Sequence, residues 1–503
     1  MERAIVQTLL MILALLTSVW SGALLANPQV SEEVTTSYQP KGAACVIRDE
    51  GGRIVLVQDY LTRKLSLPGG YIGDHEAFHV AAKRETWEET GIDVDVGPQL
   101  AINAYRVVFA CQAKVPVGVM VPAWANAFDA PIIPAFNAPH FGKEIRQVYL
   151  TALAPSVKTA YRYPDDWEAL KVWGRDSSAS PFYHRDLRQE HADTRQSSEL
   201  AMMTAFQSWV TSHSPMTGLL AFGNGLGEGA LAVGVLIVCL LLFPLRIGLT
   251  LAFVLLATAY SVNLLKMAWA IPRPFYLLPA LQQAAASGFS FPSGHTTQAA
   301  ALVGTLLGWL VSRGQTRSPL VITAALLGWL VLSALAGAAR VWLGVHYPTD
   351  VLAGMGLGGL IALVAMSLYH CRYANQKRAI ESKRLWALLL VLCLYGTLQL
   401  LQPLYLFAWF ACLGLVIALC LGEPSHEVKG LNPWRQVLIA VAGLVVVAMA
   451  AKMLVTPATT SVVILTTYSV AILVGMLWMV VGAPKLSRKA RIVYKRVECA
   501  LRR

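Results

Sequence analysis

Charged residues are scarce in this chain: they make up 14% of its 503 residues, against about 25% in soluble globular proteins. That shortage, with 56% hydrophobic residues and a mean hydropathy of +0.53, excludes a wholly soluble or disordered protein. Cysteine is sparse as well. Eight in 503 residues exclude a small disulfide-stapled scaffold, and six of them (Cys239, Cys371, Cys393, Cys412, Cys420, Cys499) lie in or beside apolar runs. The length exceeds one ordinary domain of about 100–200 residues, so several units are expected.

Negative charge is thin outside one stretch. Residues 31–200 hold 18 Lys and Arg against 22 Asp and Glu, which leaves 23 against 7 for the rest. A basic excess often marks a nucleic-acid partner, but here it sits in short connections between apolar runs. Membrane orientation explains it, and no nucleic-acid partner is expected.

What is present is a long series of apolar runs. Residues 1–26 read as a signal peptide or an N-terminal membrane anchor, the run Ile5–Ala26 being long enough to span. Either choice sends the following segment across the membrane. Residues 40–175 show short β-type runs (Ala44–Arg48, Arg53–Gln58, Ala104–Cys111, Arg146–Leu150), one helical stretch (Ala77–Thr90) and Gly- and Pro-rich turns, an α+β pattern. The piece Leu200–Val210 is too short to span and is expected on the membrane surface. Nine candidate transmembrane runs follow, near 227–245, 248–270, 294–312, 318–340, 349–370, 385–402, 404–422, 436–455 and 459–482. Placing their connections on alternate sides collects 18 Lys and Arg on one side, including the basic tail 483–503. That side is expected to be the cytoplasm. The opposite connections hold Lys266, Arg273, Arg340 and Lys452, and the 27–215 segment falls with them.

Ionisable residues at the ends of spanning helices are functional candidates. Lys266, Arg273, His295, Arg340, His346 and Asp350 come from three separate connections at one predicted depth. Three cations with an imidazole pair and a carboxylate make an anion site suited to phosphoryl transfer, which asks chiefly for positioning and positive charge. The turn Pro292-Ser293-Gly294-His295 opens a helix whose free N–H groups favour an anion. His346 and Asp350 are spaced i, i+4 and share a helix face. Asp350 can therefore fix the tautomer that makes His346 a nucleophile, with His295 as general acid. Taken singly, each cation could equally snorkel to lipid headgroups, and Ser293 and Gly294 could be a plain helix cap. Glu228 reads as a surface residue or as part of a lipid entrance.

The pattern Lys266-x6-Arg273-Pro274, Pro292-Ser293-Gly294-His295, Arg340-x5-His346-x3-Asp350 resembles the three-part signature of the type 2 phosphatidic acid phosphatase (PAP2) family over about residues 200–370. The resemblance implies an all-α polytopic membrane domain with a PAP2-type helical core. It implies a phosphohistidine mechanism with catalytic His346, His295 and Asp350, phosphate ligands Lys266, Arg273, Ser293, Gly294 and Arg340, and no metal. One departure is Ala339, where the family usually has Ser. Residues 385–482 form four further helices with no cluster readable as chemistry.

In the α+β segment, Glu85, Glu88 and Glu89 share a helix face, where three like charges repel unless a divalent cation holds them. Oxygen ligands suit Mg²⁺ or Mn²⁺. The whole array, Gly70-x5-Glu76-x7-Arg84-Glu85 through Glu88-Glu89-Thr90-Gly91, resembles the Nudix box, which implies a Nudix hydrolase-like domain over 40–175, a mixed sheet with helices. Glu76 and Arg84 would brace the carboxylates, Gly70 and Gly91 would serve the turns, and Glu144 is a further candidate ligand or surface carboxylate. Outside the cytoplasm Cys45 and Cys111 could pair, but buried free thiols are the simpler expectation.

The combined expectation is a bacterial inner-membrane enzyme with both sites on the outer face and a cytoplasmic C-terminal tail. Its substrate would be a lipid phosphate, undecaprenyl diphosphate first, and a nucleoside-diphosphate-type small molecule would meet the Nudix domain. Alternatives are a phosphatidic acid or phosphatidylglycerophosphate phosphatase with a non-catalytic, ligand-binding Nudix domain, and, more remotely, a vanadium haloperoxidase. The sequence is silent on oligomeric state.

Overall fold

The computed structural model describes residues 40–122, 124–188, 194–314, 318–372, 378–400, 402–421, 433–456, 458 and 460–486. The N-terminal run 1–26 and the tail from residue 487 lie outside the described residues. The first part folds as β1 (Gly42–Val46), β2 (Ile54–Asp59), β3 (Leu65–Ser66), β4 (Gly69–Tyr71), α1 (Phe78–Thr90), β5 (Val94–Ile102), β6 (Arg106–Ala113), β7 (Val117–Val119), β8 (Ile132–Ile133), β9 (Ile145–Thr151), α2 (Pro155–Ala160), α3 (Trp167–Asp176) and β10 (Phe182–His184).

Two four-stranded sheets carry this domain, in the orders β4-β1-β6-β5 and β3-β2-β9-β8. The β1–β6 pair is parallel, with Gly42 opposite Arg106, while β1–β4, β5–β6, β2–β9 and β8–β9 are antiparallel. The runs Cys45–Ile47, Ile54–Val57, Val107–Val108 and Leu150 are buried between the elements, which gives the domain its core. Helix α1 ends at Gly91, whose φ of 74° is the left-handed cap conformation that glycine adopts without strain; its N–H bonds Trp87 O at 2.8 Å. The expected free thiols are corrected here: Cys45 and Cys111 form a disulfide, with 5.4 Å between their Cα atoms. The parallel pairing of β1 with β6 puts Cys45 opposite Phe109, two residues from Cys111 on the same face, a proximity that strand spacing in sequence does not reveal.

The second part is helical: α4 (Thr194–Ser212), α5 (Pro215–Leu226), α6 (Gly229–Leu242), α7 (Leu245–Trp269), α8 (Pro274–Leu277), α9 (Gly294–Arg313), α10 (Pro319–Trp342), α11 (Pro348–His370), α12 (Lys383–Leu400), α13 (Pro403–Cys420), α14 (Pro433–Val455) and α15 (Ser461–Leu477). Each of the nine apolar runs falls on a helix. Among the described residues, six helical segments are long and apolar enough to cross a membrane, and α5 with α6 makes a seventh if a span bent by 55° is counted. Large apolar side chains such as Leu320, Leu326, Val331, Leu363, Leu398 and Met453 are exposed on the bundle, as lipid-facing positions require. This is a multi-pass membrane domain.

Helices α9 and α11 lie at its centre, brought together by small residues. A Cβ at Gly358 would meet Thr297 O at 2.4 Å, and one at Gly354 would meet Ser293 O at 2.8 Å. That close approach sets the N-termini of α9 and α11 side by side, where the Ser293 N–H donates to Asp350 O at 3.0 Å. Helix α4 extends beyond the expected Leu200–Val210 piece and is not simply a surface strip. It buries Leu200, Met203, Gln207 and Val210, and Gln207 Nε2 donates to Leu281 O and Trp342 O at 2.8 and 2.7 Å.

The two parts share one core. Phe136, Phe141 and Tyr149 cluster with Tyr276, Phe289, Val345 and Tyr347. Phe141 packs edge-on against Phe289 at 5.6 Å, and Phe136 against Tyr276 at 5.9 Å. The Tyr276 hydroxyl donates to Gln147 Oε1 at 3.0 Å, Gln402 Nε2 donates to Gly142 O at 3.0 Å, and Arg162 reaches Ser461 Oγ at 2.9 Å. The α+β domain thus sits on the end of the bundle where α9 and α11 begin.

Candidate active sites

At that end, His346 follows Gly344, whose φ of 71° turns the chain from α10 into α11. A Cβ there would sit 1.8 Å from Leu281 O, so only glycine fits. His346 is 2% exposed and Asp350 1%. Asp350 Oδ2 accepts from the Ser290 hydroxyl and from Tyr347 N at 2.9 Å, and lies 3.4 Å from His346 Nδ1. On the other ring nitrogen, Arg273 Nη1 lies 3.2 Å from Nε2. A guanidinium only donates. Nε2 is therefore the acceptor and the proton sits on Nδ1 facing Asp350, which leaves Nε2 the unprotonated nitrogen of the ring.

Arg273 is held by carbonyls as well as by the imidazole: Nε donates to Ser287 O and Gly288 O at 3.0 and 3.2 Å, and Nη1 to Val345 O at 2.8 Å. Lys266 Nζ donates to Phe289 O and to Ser290 O, the latter at 3.2 Å. Ser293 is fully buried before Gly294 at the start of α9, its hydroxyl paired with Thr296 Oγ1 at 2.9 Å. Arg340, 8% exposed, donates from Nη1 to Asn224 Oδ1 at 2.8 Å, while its Nε has no partner among the described residues. His295 Nε2 lies 3.4 Å from Glu228 Oε1. Arg273 touches His346, Lys266 binds the Ser290 carbonyl, Arg340 O accepts from Val345 N at 3.3 Å, and Ser293, two residues before His295, donates from its N–H to Asp350 O, so the six residues drawn from distant connections gather at one place. Ala339 sits in a small apolar cluster with Val210 and Leu220, where a serine hydroxyl would have met hydrocarbon.

In the α+β domain, Arg84 is the hub. Its Nε and Nη2 donate to the two Glu76 oxygens at 2.9 Å each, and Nη1 donates to Glu85 Oε1 and Glu88 Oε2 at 2.8 Å each. That hydrogen bond from Arg84 holds the Glu76 carboxyl down at about 2. Burial pushes the Glu85 carboxyl above its ordinary range and the Glu89 carboxyl well above it. Glu89 turns to the Gly69 N–H, at 2.9 Å. A Cβ on Gly70 would stand 2.3 Å from Glu85 Oε2, so a bare backbone makes room for that carboxylate.

Glu85, Glu88 and His140 bring one donor atom each within 4.8 Å of one another. Glu89 does not join them, and Glu144 lies 3.7 Å from His140 Nδ1 with its side chain 54% exposed. The two carboxylates suit Mg²⁺ or Mn²⁺, while the imidazole is a ligand type that transition metals favour. His140 was missed in the sequence because it lies 52 positions beyond Glu88; the bond from its N–H to Glu88 O at 2.8 Å joins the two segments. Ser290, Asn224 and Glu228 were also missed as members of the bundle site. Ser290 stood two residues before a recognisable turn, but nothing in the sequence tied residues 224–228 to His295.

A buried imidazole with its carboxylate partner, a second imidazole, two arginines and a lysine gather at one end of a helical membrane bundle, with a carboxylate-rich site in the domain packed on that end. The PAP2 superfamily model matches residues 247–374 and the NUDIX domain model residues 39–119. The decaprenylphosphoryl-5-phosphoribose phosphatase of Mycobacterium tuberculosis (strain ATCC 25618 / H37Rv) is 32% identical over 192 residues, 36% of this chain and 96% of that protein. The phosphatidylglycerophosphatase B of Bacillus subtilis (strain 168) is 39% identical over 75 residues, 15% of this chain and only 36% of that protein's length. A crystal structure of the MutT protein from Methanosarcina mazei Go1 aligns at 17% identity over 28% of this chain and 97% of that one, with a TM-score of 0.18. The chain belongs to the PAP2 superfamily and carries an N-terminal NUDIX domain, a pairing of phosphatase and hydrolase families.

Proposed function

We propose that the bundle site hydrolyses a lipid phosphate or diphosphate through a phosphohistidine at His346. The observation that carries this reading is the His346 ring itself, with Asp350 on Nδ1 and Arg273 at Nε2. Nε2 attacks phosphorus, the bond to the leaving oxygen breaks, and His295 gives that oxygen a proton. Water then attacks the phosphohistidine, giving its proton to His295 and freeing inorganic phosphate. Lys266, Arg273 and Arg340, with the Ser293 and Gly294 turn at the start of α9, stabilise the equatorial oxygens.

The leading substrate is undecaprenyl diphosphate, a polyprenyl carrier being supported by the decaprenylphosphoryl relative. Phosphatidylglycerophosphate is the second reading, favoured by the Bacillus relative. The site opens on the outer face of a bacterial inner membrane: Lys and Arg gather in the opposite connections, and the Cys45–Cys111 disulfide suits an oxidising compartment.

The NUDIX site is read as a second hydrolase for diphosphate-linked small molecules. Glu85, Glu88 and His140 would hold Mg²⁺ or Mn²⁺, which supplies charge neutralisation and an acidified water. Arg84, braced by Glu76, keeps Glu85 and Glu88 together.

The test follows phosphate release by purified protein from lipid phosphates and from nucleoside-diphosphate-linked compounds, with and without chelator. Release from lipid is expected to survive chelator and vanish in His346→Ala. Cleavage of the nucleotide compounds is expected to need the metal and vanish in Glu88→Ala. Lipid phosphatase activity in His346→Ala would refute the first assignment, and chelator-resistant nucleotide cleavage the second.

A further inference from the structure

The bent pair α5 and α6 breaks at Gly227 and Glu228, and the break lies against the phosphoryl-transfer site. Broken helices within a membrane are tolerated where the freed backbone is buried in protein or lines a cavity. Here the break is pinned to the first turn of α9. Gln298 Nε2 donates to Gly227 O at 3.1 Å, and a Cβ on Gly227 would meet His295 O at 2.6 Å and His295 Cβ at 2.7 Å. Only glycine lets the two segments come this close, and their approach puts Glu228 beside His295.

A chain of polar contacts then runs from the acid to the cation: His295 Nε2 to Glu228 Oε1 at 3.4 Å, Asn224 Nδ2 to Glu228 Oε1 at 3.0 Å, and Arg340 Nη1 to Asn224 Oδ1 at 2.8 Å. An amide suits the middle position. A guanidinium only donates and a carboxylate only accepts, and Asn224 accepts from the first on Oδ1 and donates to the second from Nδ2. An aspartate at 224 would repel Glu228, and an apolar residue would release both neighbours.

We propose that Asn224 and Glu228 are positioning residues of the phosphatase site, with Glu228 orienting His295 and sustaining its protonated form while Asn224 fixes Arg340 in place. This rests on the phosphohistidine reading given above. The charged and titratable groups facing His295 are Glu228 from the α5–α6 break, Arg340 from α10, Arg273 before α8 and His346 before α11. Cations outnumber anions among them, so an imidazolium is sustained there only with a carboxylate at hand. With Nε2 facing Glu228, Nδ1 is the nitrogen that serves the leaving oxygen. In the first step the P–O bond to that oxygen breaks, the bond from phosphorus to His346 Nε2 forms, and the Nδ1 proton of His295 moves to the departing oxygen. In the second step water displaces His346, and its proton returns to Nδ1. Glu228 keeps its charge throughout.

The experiment uses the full-length protein in detergent and two substrates, a short-chain phosphatidic acid and p-nitrophenyl phosphate. The first has an alkoxide leaving group that needs an acid; the second leaves without one. General acid catalysis is worth about 10²–10⁴-fold, and a residue acting through the acid is expected to carry about half of that free energy. Glu228→Gln should therefore lose about 10- to 100-fold in kcat on phosphatidic acid and less than about threefold on p-nitrophenyl phosphate. The alkaline limb of its kcat–pH profile should move to lower pH, and Glu228→Asp should recover part of the loss. Asn224→Leu should raise KM on both substrates by loosening Arg340. Equal losses on the two substrates in a monodisperse Glu228→Gln protein, with the pH limb unmoved, would overturn the inference and leave the phosphohistidine reading standing. Activity on both substrates in His346→Ala would instead remove that reading and the inference with it.

Discussion

Asp350→Asn tests the chemistry of the bundle site with almost no change of shape. In the structure Oδ2 gathers the Ser290 hydroxyl, the Tyr347 N–H at 2.9 Å and, at 3.4 Å, His346 Nδ1. An asparagine can keep its oxygen toward Ser290 and Tyr347, but the charge that favours a proton on Nδ1 is gone. If the amide turns its NH₂ toward the ring, Nδ1 becomes the acceptor and the proton moves to Nε2, the atom that should attack. A hydrogen bond to a charged group is worth about 1.5–3 kcal/mol. Losing it, and reversing the preference between tautomers by a similar amount, costs about 3–6 kcal/mol. At about 1.4 kcal/mol per factor of ten, the rate should fall about 10²- to 10⁴-fold. KM should change little, because Lys266, Arg273 and Arg340 are untouched. Acid-quench trapping of phosphate from labelled lipid substrate measures the phosphohistidine directly, and its burst amplitude should disappear with the steady-state rate. An Asp350→Asn enzyme within tenfold of wild type, with the burst intact, would refute the assignment of Asp350 as the group that sets the tautomer.

Three further expectations concern the NUDIX domain. In Gly70→Ala the new Cβ would stand 2.3 Å from Glu85 Oε2, and a displacement of about 1 Å at a reacting site can cost about 10²-fold; metal-dependent cleavage of nucleoside-diphosphate compounds should fall by that much while release from lipid stays unchanged. Phe141, 1% exposed, packs on Phe289, so Phe141→Ala should lower stability by about 3–5 kcal/mol in thermal or denaturant unfolding. It should also slow lipid hydrolysis, since the Phe289 carbonyl holds Lys266, and unaltered lipid hydrolysis would count against that link. The Glu76 carboxyl, held at about 2 by Arg84 against an ordinary 4.5, is a depressed group. The stability difference between wild type and Glu76→Gln should be full above about pH 4.5 and fade as the pH falls toward 2, which melts across that range would follow.

The helical half was legible because the bilayer imposes a simple rule: apolar runs of about 20 residues must be helices. The nine expected spans all fell on helices, but among the described residues only six segments, or seven with the bent pair, are long and apolar enough to cross, and α9 and α12 are not among them. Three motifs at set spacing pointed to His346, Asp350, His295 and the cations, and the close approach of α9 and α11 through Gly354 and Gly358 brings them together. The remainder depended on contacts that spacing cannot encode. His140 reaches Glu88 through a loop, Cys45 reaches Cys111 through parallel pairing of β1 and β6, and Glu228 reaches His295 because a span breaks at Gly227. Short strands such as β3, β7 and β8 carry two or three residues each and leave almost no periodic signal.

The aromatic seam joining Phe136 and Phe141 to Tyr276 and Phe289 means that neither half is a detachable cassette. Severed near residue 188 and expressed in water, the front half would bare a greasy underside and clump, and the remaining bundle would lose the roof that props its lysine-bearing pocket. A lineage carrying this fusion inherits both domains as one mechanical piece, so a change in either must be acceptable to its neighbour.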